Sequence, residues 1–533
     1  MNTAFGGLTL VLAVVSLSAA SLAARGEDDL RLVDAAAAQD AASVRALLRA
    51  GADVNAARAD GATALLFTTH WNDLALSELL LRAGADPNAA DDHGVTPLAR
   101  ATENASPEMV ELLLNAGANP DTAEILSGLT PLMTAVRTGH RGVVSALLQH
   151  GANVNAATVK TRNTPLMWAV SGGDTGLTRL LVDAGADVHV STARGLTLLM
   201  LAARNGDVEM ARTLLAAGID ANDTGSAGMH ALPFTVVAGQ AEFALFLLGQ
   251  GADPDGALAG IRAMHAAAGN VGPWLAEWNQ QHALLRLPGG VPPAQRPALV
   301  EALVASGADP NARIAATGVD QDYLARPRRG AFQTYSCGTG DLNGATPLWV
   351  AAREANGNPR GGAAPVDSDS DPRLKVIRAL LAAGANHAVA TEDGTTPLMA
   401  AAGLGQCTND YTLRRGIRSP GAEAAVAALL DAGAAIDTVN EADFTALHGA
   451  AFRGLNEVIR ILVDRGADID ARDFRGRTPY RLAQGSKQSF YFQEYPETAE
   501  FVAGLGADTT IGLAGGVQER LRDVAVEDAI SPR

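Results

Sequence analysis

Apolar residues recur along most of this chain with the spacing that one face of a helix requires. The unit is a β-branched residue, two free positions and a Leu-Leu pair, as in Val144, Leu147 and Leu148 or Ile377, Leu380 and Leu381. Positions three and four apart share one side of a helix, so each stripe predicts a short amphipathic helix. Each stripe runs into Gly-Ala-Asp or a close variant. There glycine allows the left-handed turn that ends a helix, and Asp or Asn shapes the turn that follows. The phrase begins at Gly51, Gly84, Gly117, Gly151, Gly185, Gly218 and Gly251 with steps of 33 or 34 residues, then at Gly307, Gly384, Gly433, Gly466 and Gly506 with steps of 56, 77, 49, 33 and 40. A period near 33 means that one supersecondary unit is repeated, and the stretched steps mark insertions.

About 20 residues ahead of that phrase stands a second one, Thr-Pro-Leu at Thr96, Thr130, Thr164, Thr346 and Thr396, with variants at Thr445 and Thr478. A glycine two residues earlier (Gly94, Gly128, Gly344, Gly394, Gly476) supplies a positive φ. The threonine caps, and proline at the first helical position loses no useful N–H. Small residues such as Ala351-Ala352 and Ala450-Ala451 then let helices approach, and a glycine such as Gly139, Gly206 or Gly454 closes the first helix.

The two phrases together resemble the ankyrin repeat: a β-turn finger, two short antiparallel helices and a loop. The resemblance implies an all-α fold, an ankyrin-repeat solenoid of about twelve helix–turn–helix units with β-turn fingers and loop insertions. The expected organisation is a signal peptide at 1–24, the array at 28–510 and a mixed-charge C-terminal tail at 511–533. Residues 28–51 should form an atypical N-terminal cap, and the C-terminal cap should end near Asp508. Units at 195–200 and 228–233 depart from the pattern, and the eighth unit, about 256–308, lacks the Thr-Pro-Leu phrase. Each unit leaves one apolar face open, so stability must come from stacking on neighbours.

Residues 1–24 carry no charge, with an apolar run from Leu8 to Leu17 and a small-x-small site at Ser21-Leu22-Ala23. This reads as a secretory signal cleaved after Ala23 or Ala24, although no Lys or Arg precedes the apolar run. The expected product is an exported bacterial protein, periplasmic or extracellular, with no further membrane span. A net charge of −17 does not suit nucleic acid or an anionic membrane. Cys337 and Cys407 are the only cysteines, which excludes a disulfide-rich scaffold and a Cys-based zinc site; an exported chain makes a bridge between them credible.

Four insertions, about 270–297, 311–343, 356–372 and 406–420, hold much of the Trp, Tyr and clustered Arg. Such residues dominate binding hot spots, and loops on a rigid scaffold tend to carry function. The partner-binding candidates are Tyr323, Arg326, Arg328, Arg329, Phe332, Tyr335, Tyr411, Arg414, Arg415, Trp274 and Trp278. The competing reading is that the aromatics tuck the insertions onto the solenoid. If the insertions converge, the first six should face Tyr411, Arg414 and Arg415 over the concave side of repeats 8–10. Asp367, Asp369 and Asp371 lack the Gly and Glu of a calcium loop, with Pro372 and Arg378 in those places. No phosphate loop, nucleophile elbow or His-Glu-x-x-His is present. His448 resembles the structural histidine of the family's Thr-x-Leu-His phrase.

The reading is therefore a non-catalytic binding or scaffold protein with no cofactor or metal, taken as a monomer. It would recognise a partner protein through the concave surface and the insertions of repeats 8–10. A small-molecule or glycan-binding protein with an aromatic and Arg groove under the insertions is the alternative.

Overall fold

A computed structural model describes residues 30–511 apart from 273, 276–277, 280–289, 316–342, 357–369, 406–417, 475 and 489–490. The described residues form two compact units, one made of the chain up to Asn205 with Glu209–Ile219, the other of Gly206–Val208 with the chain from Asp220 onward. Each is a stack of antiparallel helix pairs.

The first unit opens with helical residues 30–37 and the helix Ala41–Arg49, which has neither finger nor Thr-Pro-Leu and is capped by Asp40. Regular pairs follow, such as Pro97–Glu103 with Pro107–Asn115 and Pro131–Thr138 with Arg141–Gln149. In the second unit, pairs such as Pro347–Ala355 with Pro372–Ala382 and Ala446–Arg453 with Asn456–Asp464 alternate with insertions, and the last pair is Pro479–Gln484 with Pro496–Gly504. Strand is confined, among the described residues, to two short hairpins: Ala257–Leu258 with Ile261–Arg262, and Ser486–Gln488 with Tyr491–Gln493.

The local chemistry follows the phrases. Thr130 Oγ1 accepts the amide of Met133 and Pro131 opens the helix; Thr96, Thr164, Thr346 and Thr396 repeat the arrangement. All twelve phrase glycines have positive φ, between +82° at Gly51 and +104° at Gly218. The stripe residues Val144, Leu147, Ile377 and Leu380 are fully buried, and Ala351 and Ala352 let the first helices close up.

The fourth residue after the phrase glycine, where it is asparagine, does something the phrase alone does not announce. Asn55 donates through Nδ2 to the Gly84 carbonyl (3.1 Å) and accepts the Asp86 amide through Oδ1 (2.7 Å). Asn88 makes the same clamp on Gly117 and Asn119, Asn155 on Gly185 and Asp187, and Asn222 on Gly251 and Asp253. Asn311 bonds Gly384 (3.1 Å) and Asn386 (2.7 Å) across 73 and 75 residues of sequence. The insertions between these positions therefore loop out of a stack whose repeats remain direct neighbours.

Ala388 occupies this place in the next repeat and has no side chain to reach Gly433 and Ala435. Ala388→Asn is expected to supply the two missing bonds and add about 1 kcal/mol. A urea melt should show a higher midpoint, with Asn311→Ala shifted the opposite way; an unmoved midpoint for Ala388→Asn would refute the clamp.

Candidate partner-binding surface

Three insertions leave the second unit at equivalent places. They lie between first and second helices: after Ala263–Ala268 and before Arg296–Ala305, after Pro347–Ala355, and after Pro397–Ala401 and before Pro420–Asp431. The hairpin Ser486–Gln488/Tyr491–Gln493 takes the corresponding place in the last repeat. The insertion at 311–343 leaves from a finger instead. Its base is closed by Ile314 N to Ala345 O (2.9 Å), Gly344 N to Ile314 O (2.9 Å) and Ala315 N to Gly260 O (3.2 Å).

The end of one helix, Pro347–Ala355, ties the three equivalent roots together. Arg353 Nε donates to the Gly405 carbonyl, at the start of the 406–420 insertion (2.9 Å). Glu354 Oε1 pairs with Arg296 Nη1 (2.9 Å), and Glu354 Oε2 accepts the Asn270 amide (3.3 Å), so one carboxylate holds both ends of the first insertion. Arg296 Nε also donates to Val291 O (2.9 Å). Asn356, where the third insertion departs, donates to Ala401 O (3.1 Å). Burial pulls the Arg353 guanidinium below its ordinary pKa, and the charge of Glu354 works against that shift.

Trp274 and Trp278 belong to the interior, which corrects their expected place on a binding face. Trp274 is 1 % exposed, packs edge-on to Trp349 with ring centroids 6.2 Å apart, and lies 5.9 Å from the Arg353 guanidinium. Trp278 is buried, with Nε1 3.1 Å from Met229 Sδ and its ring edge-on to Phe234. Both rings fasten the first insertion to the array. Tyr323, Arg326, Arg328, Arg329, Phe332, Tyr335, Tyr411, Arg414, Arg415, Cys337 and Cys407 lie outside the described residues. The segments 1–24 and 512–533 do as well. Of the acidic run, Asp371 is committed to structure: it caps Pro372–Ala382 and pairs with Arg373 (2.8 Å). Among the described residues, no three His, Cys, Asp or Glu side chains gather where they could hold a metal ion.

The eighth unit keeps the geometry whose phrase it lacks. Arg262 replaces the threonine, yet His265 occupies the third helical position, fully buried, as His448 does in its own repeat. His265 Nδ1 accepts the Arg262 amide (3.2 Å) and Nε2 donates to Ala312 O (2.9 Å). His448 Nδ1 accepts the Thr445 amide (3.1 Å) and Nε2 donates to Arg477 O (3.2 Å). Both rings are thereby held neutral as the Nε2–H tautomer. Burial pushes His265 down to about 4 and lowers His448 too.

A folded pKa below the unfolded one means that the unfolded chain takes up the proton first. The stability from neutral His265 is full above about pH 6.5 and is lost as pH falls towards 4. Between pH 7 and 5 that loss amounts to about 2 kcal/mol. Urea midpoints at both pH values should differ less in His265→Gln than in the wild type; an equal difference would remove His265 as the source.

Stacked helix pairs with β-turn fingers, capped by Thr-Pro-Leu and clamped repeat to repeat, define an ankyrin-type array. The family description "Ankyrin repeats (3 copies)" matches residues 32–124, 121–192, 166–257 and 369–473, more than half of the chain, and the chain belongs to that family. Protein phosphatase 1 regulatory subunit 27 of Mus musculus is 37% identical over 73 residues, 14% of this chain and 43% of that protein. Its Homo sapiens counterpart is 37% identical over 71 residues, 13% of this chain and 42% of that protein. The chain thus spans under half the length of these relatives. A solved structure of the ankyrin repeat domain of Bcl-3, a member of the IkappaB protein family, is similar at 27% identity and a TM-score of 0.35, covering 38% of this chain and 92% of that one.

Proposed function

We propose that the chain is a non-catalytic binding protein that holds a partner protein on its fingers and first helices and on the insertions of repeats 8–10. The observation that carries this reading is the knot at Arg353, Glu354 and Asn356, which ties three insertion roots to one helix end. Roots tied to one another by polar bonds give these three insertions a shared, fixed base, and a fixed base lowers the entropy lost on binding. The relatives' name, a regulatory subunit, agrees with a binding role. We also take residues 1–24 as an export leader, so that the partner is met outside the cytoplasm. Capture from an envelope extract tests both: wild type should retain a partner that Arg414→Glu with Arg415→Glu releases, and the exported chain should have the mass of one beginning near residue 24. Loss of no partner in that variant, or a melting shift with small ligands alone, would sink the protein-binding reading.

A further inference from the structure

A second surface lies on the first unit, which carries none of the four insertions. The described residues hold few exposed large apolar side chains, and the three most exposed are Ile125 (67 %), Leu126 (81 %) and Val159 (71 %). All three sit at the tips of two adjacent fingers, residues 123–129 and 157–163. They are seated there by the neighbouring finger. Gly94 has φ +80°, and a Cβ on it would come within 2.8 Å of Ile125 Cγ1. Gly128 has φ +69°, and a Cβ on it would meet Val159 Cγ2 at 2.9 Å. A side chain at either glycine would lift the apolar residue off the row.

The row continues on both sides through backbone bonds from tip to tip. Asp92 N donates to Asp60 O (2.9 Å), Val159 N lies 3.5 Å from Ser127 O, and Ala193 N donates to Thr161 O (3.1 Å). Its charges are segregated. One end carries Asp60, Asp91 and Asp92, while the nearby Arg58 is engaged by Asp34 at 2.6 Å. The other end carries Lys160, Arg162 and Arg194, all exposed. Glu124, within the apolar stretch, accepts the Ser127 hydroxyl (2.7 Å) and closes its own turn. The sequence of surface types is thus acidic, apolar, basic across five successive fingertips.

The geometry points to a docking strip for an extended peptide with an apolar centre, basic residues at one end and acidic residues at the other. Charge order selects this occupant. A nucleic acid or an anionic membrane would be repelled by the Asp60–Asp91–Asp92 end, and a uniformly charged peptide would match only half the strip. Packed helices lie 8–10 Å apart, so five fingertips span about 40 Å. An extended chain at about 3.3 Å per residue covers that with about twelve residues. The strip uses fingertips of the first unit alone and needs none of the insertions of repeats 8–10, so it can stand or fall apart from the reading based on them.

Fluorescence anisotropy with the full chain and labelled twelve-residue peptides tests the strip. One peptide has three lysines, a Val-Leu-rich centre and three glutamates; the control has the same composition with alternating charges. The ordered peptide should bind about tenfold more tightly, and raised salt should narrow the gap. Leu126→Asp, at an exposed tip, should weaken the ordered peptide by more than about tenfold. Lys160→Glu with Arg162→Glu should shift preference to a peptide with lysines at both ends. Equal affinity for ordered and alternating peptides, or unchanged binding by Leu126→Asp, would overturn the proposal. So would a concentration-dependent dimer in sedimentation that Leu126→Asp abolishes, which would make the occupant a second copy. Binding to phosphatidylglycerol vesicles that Leu126→Asp abolishes would overturn it in favour of a lipid surface.

Discussion

Asp473→Ala is expected to cost the second unit about 3 kcal/mol or more. The carboxylate is fully buried at the base of a finger, where Oδ2 pairs with Arg477 Nε (2.7 Å) and Oδ1 accepts the Arg477 amide (2.7 Å). The Asp473 amide in turn donates to Arg477 O (2.9 Å), the carbonyl that also receives the His448 Nε2–H. Truncation to alanine leaves the buried guanidinium without its charge partner and opens the turn that supports the histidine, and removing one member of a buried pair is what makes such changes expensive. Asp473→Asn should cost less, because an acceptor for the amide survives. Adding Arg477→Met to the alanine variant should recover part of the loss, since no unpaired charge is then buried. The charge of Asp473 is also the leading influence raising the pKa of His448 against burial, so the ring should titrate still lower in either variant. Urea melts of the set measure the costs. A shift of under about 1 kcal/mol for Asp473→Ala would show that water reaches Arg477 and that the pair is not a buried one.

The periodic part of this fold was legible because each repeat solves the same local problem with the same residues. A glycine after a Leu-Leu stripe must end a helix, and all twelve do so with positive φ. A threonine before proline must cap, and Thr130 and Thr346 do. His448 could be assigned because its phrase was intact. His265 was missed because Arg262, Ala263 and Met264 stand where Thr-Pro-Leu would; the surviving signal was the histidine itself, followed by three alanines as His448 is followed by Gly-Ala-Ala. The Asn clamp was hidden for a different reason. Asn55 or Asn311 reads as a turn residue in its own repeat, and its partners lie one repeat onward, in one case 73 residues away.

The insertions fall outside the period, so the sequence could not say which way their side chains point. Aromatic residues in a loop read equally as hot spots or as fasteners, and only packing separates the two. For Trp274 and Trp278 the packing is against Trp349 and Phe234. The roots were closer to legible. Three insertions fall between a first-helix Ala-Ala segment and a second-helix stripe, and one falls ahead of Thr346, which assigns them to two different places on a repeat. That Arg353, Glu354 and Asn356 join the three equivalent roots was not legible, because nothing in their spacing names Gly405, Arg296 or Ala401 as partners.

Trp349→Ala is expected to loosen repeats 8–10 more than any single change in the insertions themselves. Trp349 is fully buried, its amide is held by Thr346 Oγ1 (3.2 Å), and its Nε1 donates to the Thr395 carbonyl in the next repeat (3.1 Å). Its ring also carries Trp274, the fastener of the first insertion. Alanine removes a large apolar volume from a stack that cannot close over the gap, which costs about 3–5 kcal/mol, and takes away the indole donor of the Thr395 carbonyl, which keeps the Thr391 amide and hydroxyl. Trp349→Phe keeps most of the ring and loses only the Nε1 bond, so it should cost about 1 kcal/mol beyond its smaller area. In a repeat stack neighbours are coupled but distant repeats are not, so the damage should stay near its source. Hydrogen exchange should quicken in the helices Pro347–Ala355, Pro372–Ala382 and Pro397–Ala401 while Pro131–Thr138 keeps its protection. Trp274 should meet water, with its emission moving to longer wavelength. Uniformly faster exchange along the whole chain would mean that the protein unfolds as one cooperative body, and the view of Trp349 as a local hub would be lost.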